Sequence, residues 1–149
     1  MRLWHYELLP YLPNSQLIAQ WRELNSIFKK QDEHILINYI YEYADSELMG
    51  YTELVLNEVR RRGFKVNLSA DSNYRIWLFE RMGIKPSQGY AVVLRQKYFV
   101  KHHTDRYLLQ CFYNLQEKYD RGQKDFSLEI YNKLENFIFQ KLGDNRLIG

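Results

Sequence analysis

The stretch NSQLIAQWRELNSIFK, residues 14–29, decides the fold class of this chain. Its large apolar residues recur every three or four positions, which is the period of an α-helix with one buried face. On a helical wheel these residues share one sector, which contains Leu17, Trp21, Leu24 and Phe28. The Asn14-Ser15 pair provides the side-chain oxygens that commonly cap a helix start. The spacing therefore predicts an amphipathic helix that packs its apolar face against the rest of the chain.

Four further segments carry the same helical periodicity. The predicted helices start at Ser46 and stop at Gly63, cover 72–82 before Gly83, start after Thr104, and run from about Asp125 to Leu142 before Gly143. Residues 34–43 fit a helix although β-forming residues are dense there, and residues 90–94 fit a strand or a buried extended segment. The chain is 149 residues long, which suits one domain. We therefore expect an all-α fold, a single compact domain of about five helices over residues 1–149.

The composition excludes several classes of protein. Lys and Arg number 21 against 18 Asp and Glu, and this small excess permits nucleic-acid binding without demanding it. Cys111 is the single cysteine, which excludes a disulfide framework and a multi-cysteine zinc site. We expect no metal and no other cofactor. The sequence contains no apolar run of membrane-spanning length and no signal-peptide pattern, so we expect a cytoplasmic protein without a membrane partner. The oligomeric state stays open.

The polar face of the first predicted helix carries a possible catalytic group. Arg22 and Glu23 lie there, and an ordinary solvated surface would account for this pair. The start of the chain offers a second interpretation, because residues 1–6 precede the helix by one proline-flanked turn and can pack back on it. The α-amine would then lie near Glu23. An α-amine has a pKa of about 7.7–8.0, so part of it is nucleophilic at neutral pH, and it can attack a sugar C1′ to form an imine.

The segment Leu17-Ile18-Ala19-Gln20-Trp21-Arg22-Glu23-Leu24, at this distance from residue 1, resembles the pyrimidine-dimer DNA glycosylase family of the phage endonuclease V type. The opening Met1-Arg2-Leu3-Trp4-His5 resembles its bacterial branch, and residues 53–64 resemble a family helix with a basic-Gly-aromatic stop. The resemblance implies an all-α DNA glycosylase with abasic-site lyase activity. It also implies that the Met1 amine is the nucleophile and that Glu23 is the catalytic carboxylate.

The partner implied by this resemblance is double-stranded DNA with a damaged or abasic site. The resemblance makes Arg22 a DNA-contacting residue, and Gln16 is a weaker candidate on the same polar face. The remaining DNA-contact candidates are near the N-terminus or follow the helix, and they are Arg2, His5 and His34. Arg2 also disfavours removal of Met1, because that removal normally requires a small second residue.

Two alternative functions fit the same sequence. The chain can be a catalytically inactive nucleic-acid-binding or protein-interaction module of the same fold. It can also be an enzyme that acts on another sugar–base bond, in a free nucleoside or in RNA. Two further basic groups are candidates for phosphate binding with aromatic stacking, or are ordinary solvated charges. These groups are residues 60–62 and the set Arg95, Lys97 and Lys101 with Tyr98 and Phe99.

Overall fold

The computed structural model describes residues 2–143. In this range the chain forms five α-helices and two short 3-10 helices and contains no strand, which confirms the all-α class. The α-helices are α1 (Asn14–Lys30), α2 (Asp45–Arg61), α3 (Asn73–Met82), α4 (Asp105–Asp120) and α5 (Leu128–Leu142). The 3-10 helices are Tyr6–Tyr11, ahead of α1, and Asn38–Glu42, between α1 and α2. Among these residues no helix is both long enough and apolar enough to cross a membrane.

The α1 helix packs against both α2 and α3, and α4 packs against α5. The first 3-10 helix joins these parts, because it contacts α2 and α5. Leu17 and Leu24 of α1 are fully buried, as the periodicity predicts. Trp21 is only half-buried, and the edge of its ring meets Tyr74 of α3 at a centroid distance of 6.2 Å.

The predicted cap of α1 is wrong. Its N-cap is Pro13, which makes no side-chain capping bond. The backbone N–H of Ser15 instead donates to Asp125 Oδ2 at 2.7 Å, and the Ser15 hydroxyl donates to Asp125 Oδ1 at 3.0 Å. A carboxylate at a helix N-terminus accepts hydrogen bonds from backbone N–H groups that have no partner within the helix. Its negative charge also interacts favourably with the positive end of the helix dipole. Asp125 itself lies ahead of α5, which begins three residues later than predicted, after the Ser127 cap.

The predicted helix ends agree closely with the structure. Gly63 and Gly83 have φ angles of +86° and +70°, in the left-handed region that glycine adopts without strain. Thr104 caps α4 as predicted, since its side chain accepts a hydrogen bond from the backbone N–H of Tyr107 at 3.2 Å. The ambiguous residues 34–43 form a turn followed by the second 3-10 helix.

Residues 84–104 between α3 and α4 form neither the strand nor the buried extended segment that the sequence indicates. Val93 is 90% exposed, and residues 90–94 have no regular structure. The segment is anchored further along by Tyr98 and Phe99, which are fully buried. Gly50 of α2 makes room for the Tyr98 ring, because a Cβ at Gly50 would lie 2.5 Å from Tyr98 Cε1.

Stacking of DNA bases on Tyr98 and Phe99 is therefore excluded, because both rings lie in the core. Two of the three arginines at the end of α2 also have structural partners. Arg61 and Arg62 both pair with the Glu58 carboxylate. Arg62 Nη1 donates in addition to the backbone oxygen of Leu12 at 2.6 Å. These contacts tie the end of α2 to the segment ahead of α1.

A buried pair of histidines joins the N-terminal segment to the start of α4. His5 Nε2 lies 3.0 Å from the backbone oxygen of His103, and His103 Nδ1 accepts from the backbone N–H of Tyr6 at 3.3 Å. Tyr39 places its hydroxyl 2.7 Å from His103 Nε2. Burial lowers the pKa of His5 to about 4 and that of His103 to about 2. Both rings are therefore neutral at pH 7.

We expect the protein to lose stability on mild acidification. In the unfolded chain both histidines bind protons below a pH of about 6.5, whereas in the folded protein they stay neutral. Stability therefore falls as the pH falls, by about 2 kcal/mol per histidine between pH 7 and pH 5. Urea unfolding at the two pH values measures this loss.

Two variants separate the contribution of the buried pair from that of other titrating groups. His103→Gln should lose less stability than the wild type between pH 7 and pH 5, by about 2 kcal/mol. His34→Gln, at an exposed histidine, should retain the wild-type pH dependence. An unchanged pH dependence in His103→Gln would contradict the role of the buried pair.

Candidate active site

Gln20 of α1 holds the backbone of the N-terminal segment. Gln20 is fully buried although it is polar. Its Oε1 accepts from the backbone N–H of Trp4 at 2.8 Å, and its Nε2 donates to the backbone oxygen of Arg2 at 3.1 Å. The same Nε2 donates to Glu23 Oε2 at 3.0 Å. One side chain thus links residues 2–4 to Glu23, one turn further along α1.

Two tyrosines from other helices hold the same segment. Tyr51 of α2 donates its hydroxyl to the backbone oxygen of Trp4 at 2.7 Å and lies 3.0 Å from Gln20 Oε1. Tyr107 of α4 donates to the backbone oxygen of Leu3 at 2.6 Å. The side chains of Leu3 and Trp4 are themselves buried in the core. The start of the described chain is therefore fixed against α1, α2 and α4 together.

Glu23 is the carboxylate beside this segment, and it is partly buried. Burial raises the pKa of Glu23 above its ordinary value. Hydrogen bonds from the Arg2 backbone N–H and from the Gln20 side chain act in the opposite direction and lower that pKa. A partly buried carboxyl group with a raised pKa suits a role in proton transfer.

A surface pocket of about 190 Å³ opens beside Glu23. Its lining comes from the N-terminal segment, α1, the turn after α1, and α4, and comprises Arg2, Trp4, Gln16, Ala19, Glu23, Leu36, Asn114 and Lys118. The small side chain of Ala19 leaves the α1 wall of this pocket open. Lys118 brings a positive charge towards the Glu23 carboxylate, which makes the pocket suited to a substrate with a phosphate group.

The structure brings together three of the residues that the sequence singles out, since Arg2, Gln16 and Glu23 all line this pocket. Met1 lies outside the described residues. Arg22 is exposed on α1, next to Glu23 in sequence, and does not line the pocket. His34 is exposed on the turn that carries Leu36.

The prediction that His5 contacts DNA is wrong for this structure. Its side chain is 1% exposed, and both ring nitrogens are occupied within the protein. The backbone N–H of Glu7 donates to Nδ1 at 3.1 Å, and Nε2 meets the backbone oxygen of His103. His5 therefore supports the N-terminal segment from inside the core.

Sequence reasoning missed Gln20, Asn114 and Lys118. Gln20 lies three positions before Glu23 on a helix, and that spacing places the two side chains side by side. This signal was available in the sequence. Asn114 and Lys118 lie far from Glu23 in the chain, and their four-residue spacing on α4 is common on any helix surface. Among residues 2–143, no group of three His, Cys, Asp or Glu side chains is arranged to hold a metal ion.

Comparison with known protein families gives a match to the N-terminal part of the chain. Residues 1–72 match the family described as pyrimidine dimer DNA glycosylase. That range contains α1 and α2, with Gln20 and Glu23, and it ends before α3 and α4. No significant match is found among curated proteins or among solved structures. The match supports a DNA glycosylase-type role in general terms. Residues 1–72 of this 149-residue chain are thus similar to the pyrimidine dimer DNA glycosylase family.

Proposed function

We propose that this protein is a DNA glycosylase with abasic-site lyase activity on damaged or abasic double-stranded DNA. In this proposal the α-amine of Met1 is the nucleophile and Glu23 is the acid and base. The observation that carries the proposal is the shared contact of Gln20 Nε2, which donates both to the Arg2 backbone oxygen and to Glu23 Oε2. The Gln20 side chain thus forms hydrogen bonds both to the N-terminal segment and to the Glu23 carboxylate.

Covalent geometry supports a reacting distance between the amine and the carboxyl group. Where Met1 is the first residue, its amine nitrogen is at most about 4 Å from the Arg2 backbone nitrogen, because three bonds connect them. That Arg2 nitrogen donates to the Glu23 carboxyl group. An amine restricted in this way needs no large rearrangement to share a substrate with Glu23.

The chemistry proceeds through one covalent intermediate. The neutral amine attacks C1′ of the damaged nucleotide, the bond from C1′ to the base breaks, and the base leaves with a proton. The sugar ring opens as O4′ takes a proton, and the nitrogen and C1′ form a protonated imine. Removal of a proton from C2′ then expels the 3′ phosphate by β-elimination, and water releases the amine. Glu23 is the group that gives and takes these protons.

Charged residues around the pocket support a DNA substrate. Arg2 and Lys118 line the pocket, and exposed Arg22 lies immediately before Glu23 on α1. These cations suit phosphate groups on either side of the reacting sugar. Gln16 lines the pocket and His34 is exposed on the turn beside it, so we assign both to further DNA contacts. The enzyme must expose C1′ by distorting the duplex, because this atom is shielded in stacked DNA.

Trapping with sodium borohydride on an abasic-site duplex tests the proposal. Borohydride reduces an imine to a stable amine, so the wild-type protein should give a covalent protein–DNA band. Mass spectrometry of the intact protein first establishes that Met1 is the N-terminal residue. A sample with the α-amine chemically blocked should give no band.

Lys118 provides the matched control, because its ε-amine lines the same pocket. The Lys118→Arg variant, which removes the ε-amine and keeps the positive charge, should retain the trapped band, and the cross-linked peptide should contain Met1. A cross-link on Lys118 would contradict the assignment of the nucleophile. Binding of the duplex without any trapped band would instead favour a catalytically inactive nucleic-acid-binding module.

A further inference from the structure

Two aliphatic side chains project into solvent beside the pocket. Ile35 is 79% exposed and Leu36 is 45% exposed, and both lie on the turn over residues 35–37. Leu36 lines the pocket together with Glu23. An exposed aliphatic residue is ordinary by itself. An adjacent pair at the rim of a candidate active site is a different case, because it offers apolar surface where a substrate must bind.

The turn that carries this pair is held firmly. Ile37 is fully buried and anchors the end of the turn in the core. The backbone oxygen of His34 accepts from the backbone N–H groups of Ile37 and Asn38, each at 2.9 Å. The Leu36 backbone N–H donates to His34 Nδ1 at 3.2 Å. The two aliphatic side chains are therefore presented on an ordered backbone, which lowers the entropy cost of using them in binding.

We propose that Ile35 and Leu36 form a wedge that enters the base stack of duplex DNA beside the reacting nucleotide. This inference rests on the proposed function and adds how the duplex is opened. Apolar side chains inserted between base pairs partly unstack them and kink the duplex. Extrusion of a nucleotide costs unstacking energy, and an apolar wedge that fills the vacated space offsets part of that cost.

The position of Leu36 fits this role. Because Leu36 and Glu23 line one pocket, a wedge at Leu36 acts next to the nucleotide that reacts there. Because His34 Nδ1 accepts the hydrogen bond from the Leu36 backbone N–H, Nε2 is the ring nitrogen that can donate. The exposed His34 thus adds to the same turn a hydrogen-bond donor for a DNA phosphate. Apolar insertion and a polar contact to the backbone are what a duplex-opening element needs.

Fluorescence of 2-aminopurine tests the wedge without any turnover. The probe is a duplex with 2-aminopurine next to a tetrahydrofuran abasic analogue, which has no C1′ leaving group. Unstacking raises 2-aminopurine fluorescence, so saturating wild-type protein should raise the signal. The double variant Ile35→Ser with Leu36→Ser should lose most of this rise at saturation. Both side chains are at the surface, so the fold should survive the change.

Val93→Ser is the matched control, because Val93 is also an exposed aliphatic residue and does not line this pocket. It should retain the full fluorescence rise. Cleavage supplies a second readout. The double serine variant should cleave an abasic site in duplex DNA at least about tenfold more slowly than the wild type. On an abasic site in single-stranded DNA the same variant should lose much less of its rate than on duplex DNA, because no stack has to be opened there.

The outcomes separate the wedge from the proposed function. A full fluorescence rise in the double variant, with imine trapping intact, would overturn the wedge and leave the lyase assignment standing. A rise that depends on Ile35 and Leu36, in a protein that gives no trapped band, would support the wedge and overturn the lyase. A wild-type protein that produces no rise on a duplex it saturates would overturn the wedge.

Discussion

Replacing Glu23 with glutamine is expected to lower the rate of abasic-site cleavage about a thousandfold, because a positioned acid or base contributes about 10²–10⁴-fold. Glutamine keeps the size and one oxygen of glutamate, so the hydrogen bond from Gln20 Nε2 can persist. The side chain can no longer exchange a proton at neutral pH. The measurement is single-turnover cleavage of an abasic-site duplex, with binding to the uncleaved duplex followed by fluorescence anisotropy. Binding should stay within about threefold of the wild type.

The same variant should not be less stable than the wild type at pH 7. Burial raises the pKa of Glu23, and a carboxylate whose folded pKa is raised loses stability as the pH rises through its unfolded and folded pKa values. Removing that charge removes the cost. Glu80→Gln, at an exposed position of α3 outside this pocket, is the control; it should leave cleavage unchanged and alter stability by less than about 0.5 kcal/mol. Wild-type cleavage by Glu23→Gln would refute the role of Glu23 as acid and base.

Replacing Gln20 with leucine is expected to have the largest effect on stability. The change removes the acceptor of the Trp4 N–H and the donor to the Arg2 backbone oxygen, and both groups lie in or near the core. A buried polar group left without a partner costs about 1–3 kcal/mol. We expect the free energy of unfolding, measured in urea at pH 7, to fall by about 3 kcal/mol. Cleavage should fall as well, because the start of the chain is no longer held at Glu23.

A pH profile distinguishes a positioning role from a purely structural one. The Gln20 hydrogen bond lowers the pKa of Glu23, so the leucine variant should raise that pKa. The acid limb of the cleavage profile should then move to higher pH. Gln116→Leu is the matched control, because this amide of α4 donates to the Tyr131 hydroxyl at 3.0 Å and does not line the pocket. It should lose some stability without moving the profile, and a shift there as well would contradict a positioning role for Gln20.

The sequence was sufficient for the helical elements. Apolar spacing predicted α1, because Leu17 and Leu24 recur at helical spacing and form an apolar face that is stabilised by burial. Gly63 and Gly83 marked helix ends because glycine adopts positive φ angles without strain. Residues 90–94 misled the same reasoning, because β-branched residues indicate a strand only where a neighbouring strand and a buried face exist. In the structure Val93 is at the surface.

The candidate site also has a part that the sequence predicts and a part that it does not predict. The sequence by itself determined the helix that carries Glu23 and the similarity of residues 1–72 to a known family. Only the tertiary structure decided what surrounds that carboxyl group. Gln20 and Tyr51 hydrogen-bond to the backbone of the N-terminal segment. Lys118 of α4 lines the pocket although it is far from Glu23 in the sequence. Local periodicity reports which face of a helix is buried, whereas hydrogen bonds between distant segments depend on how the helices pack.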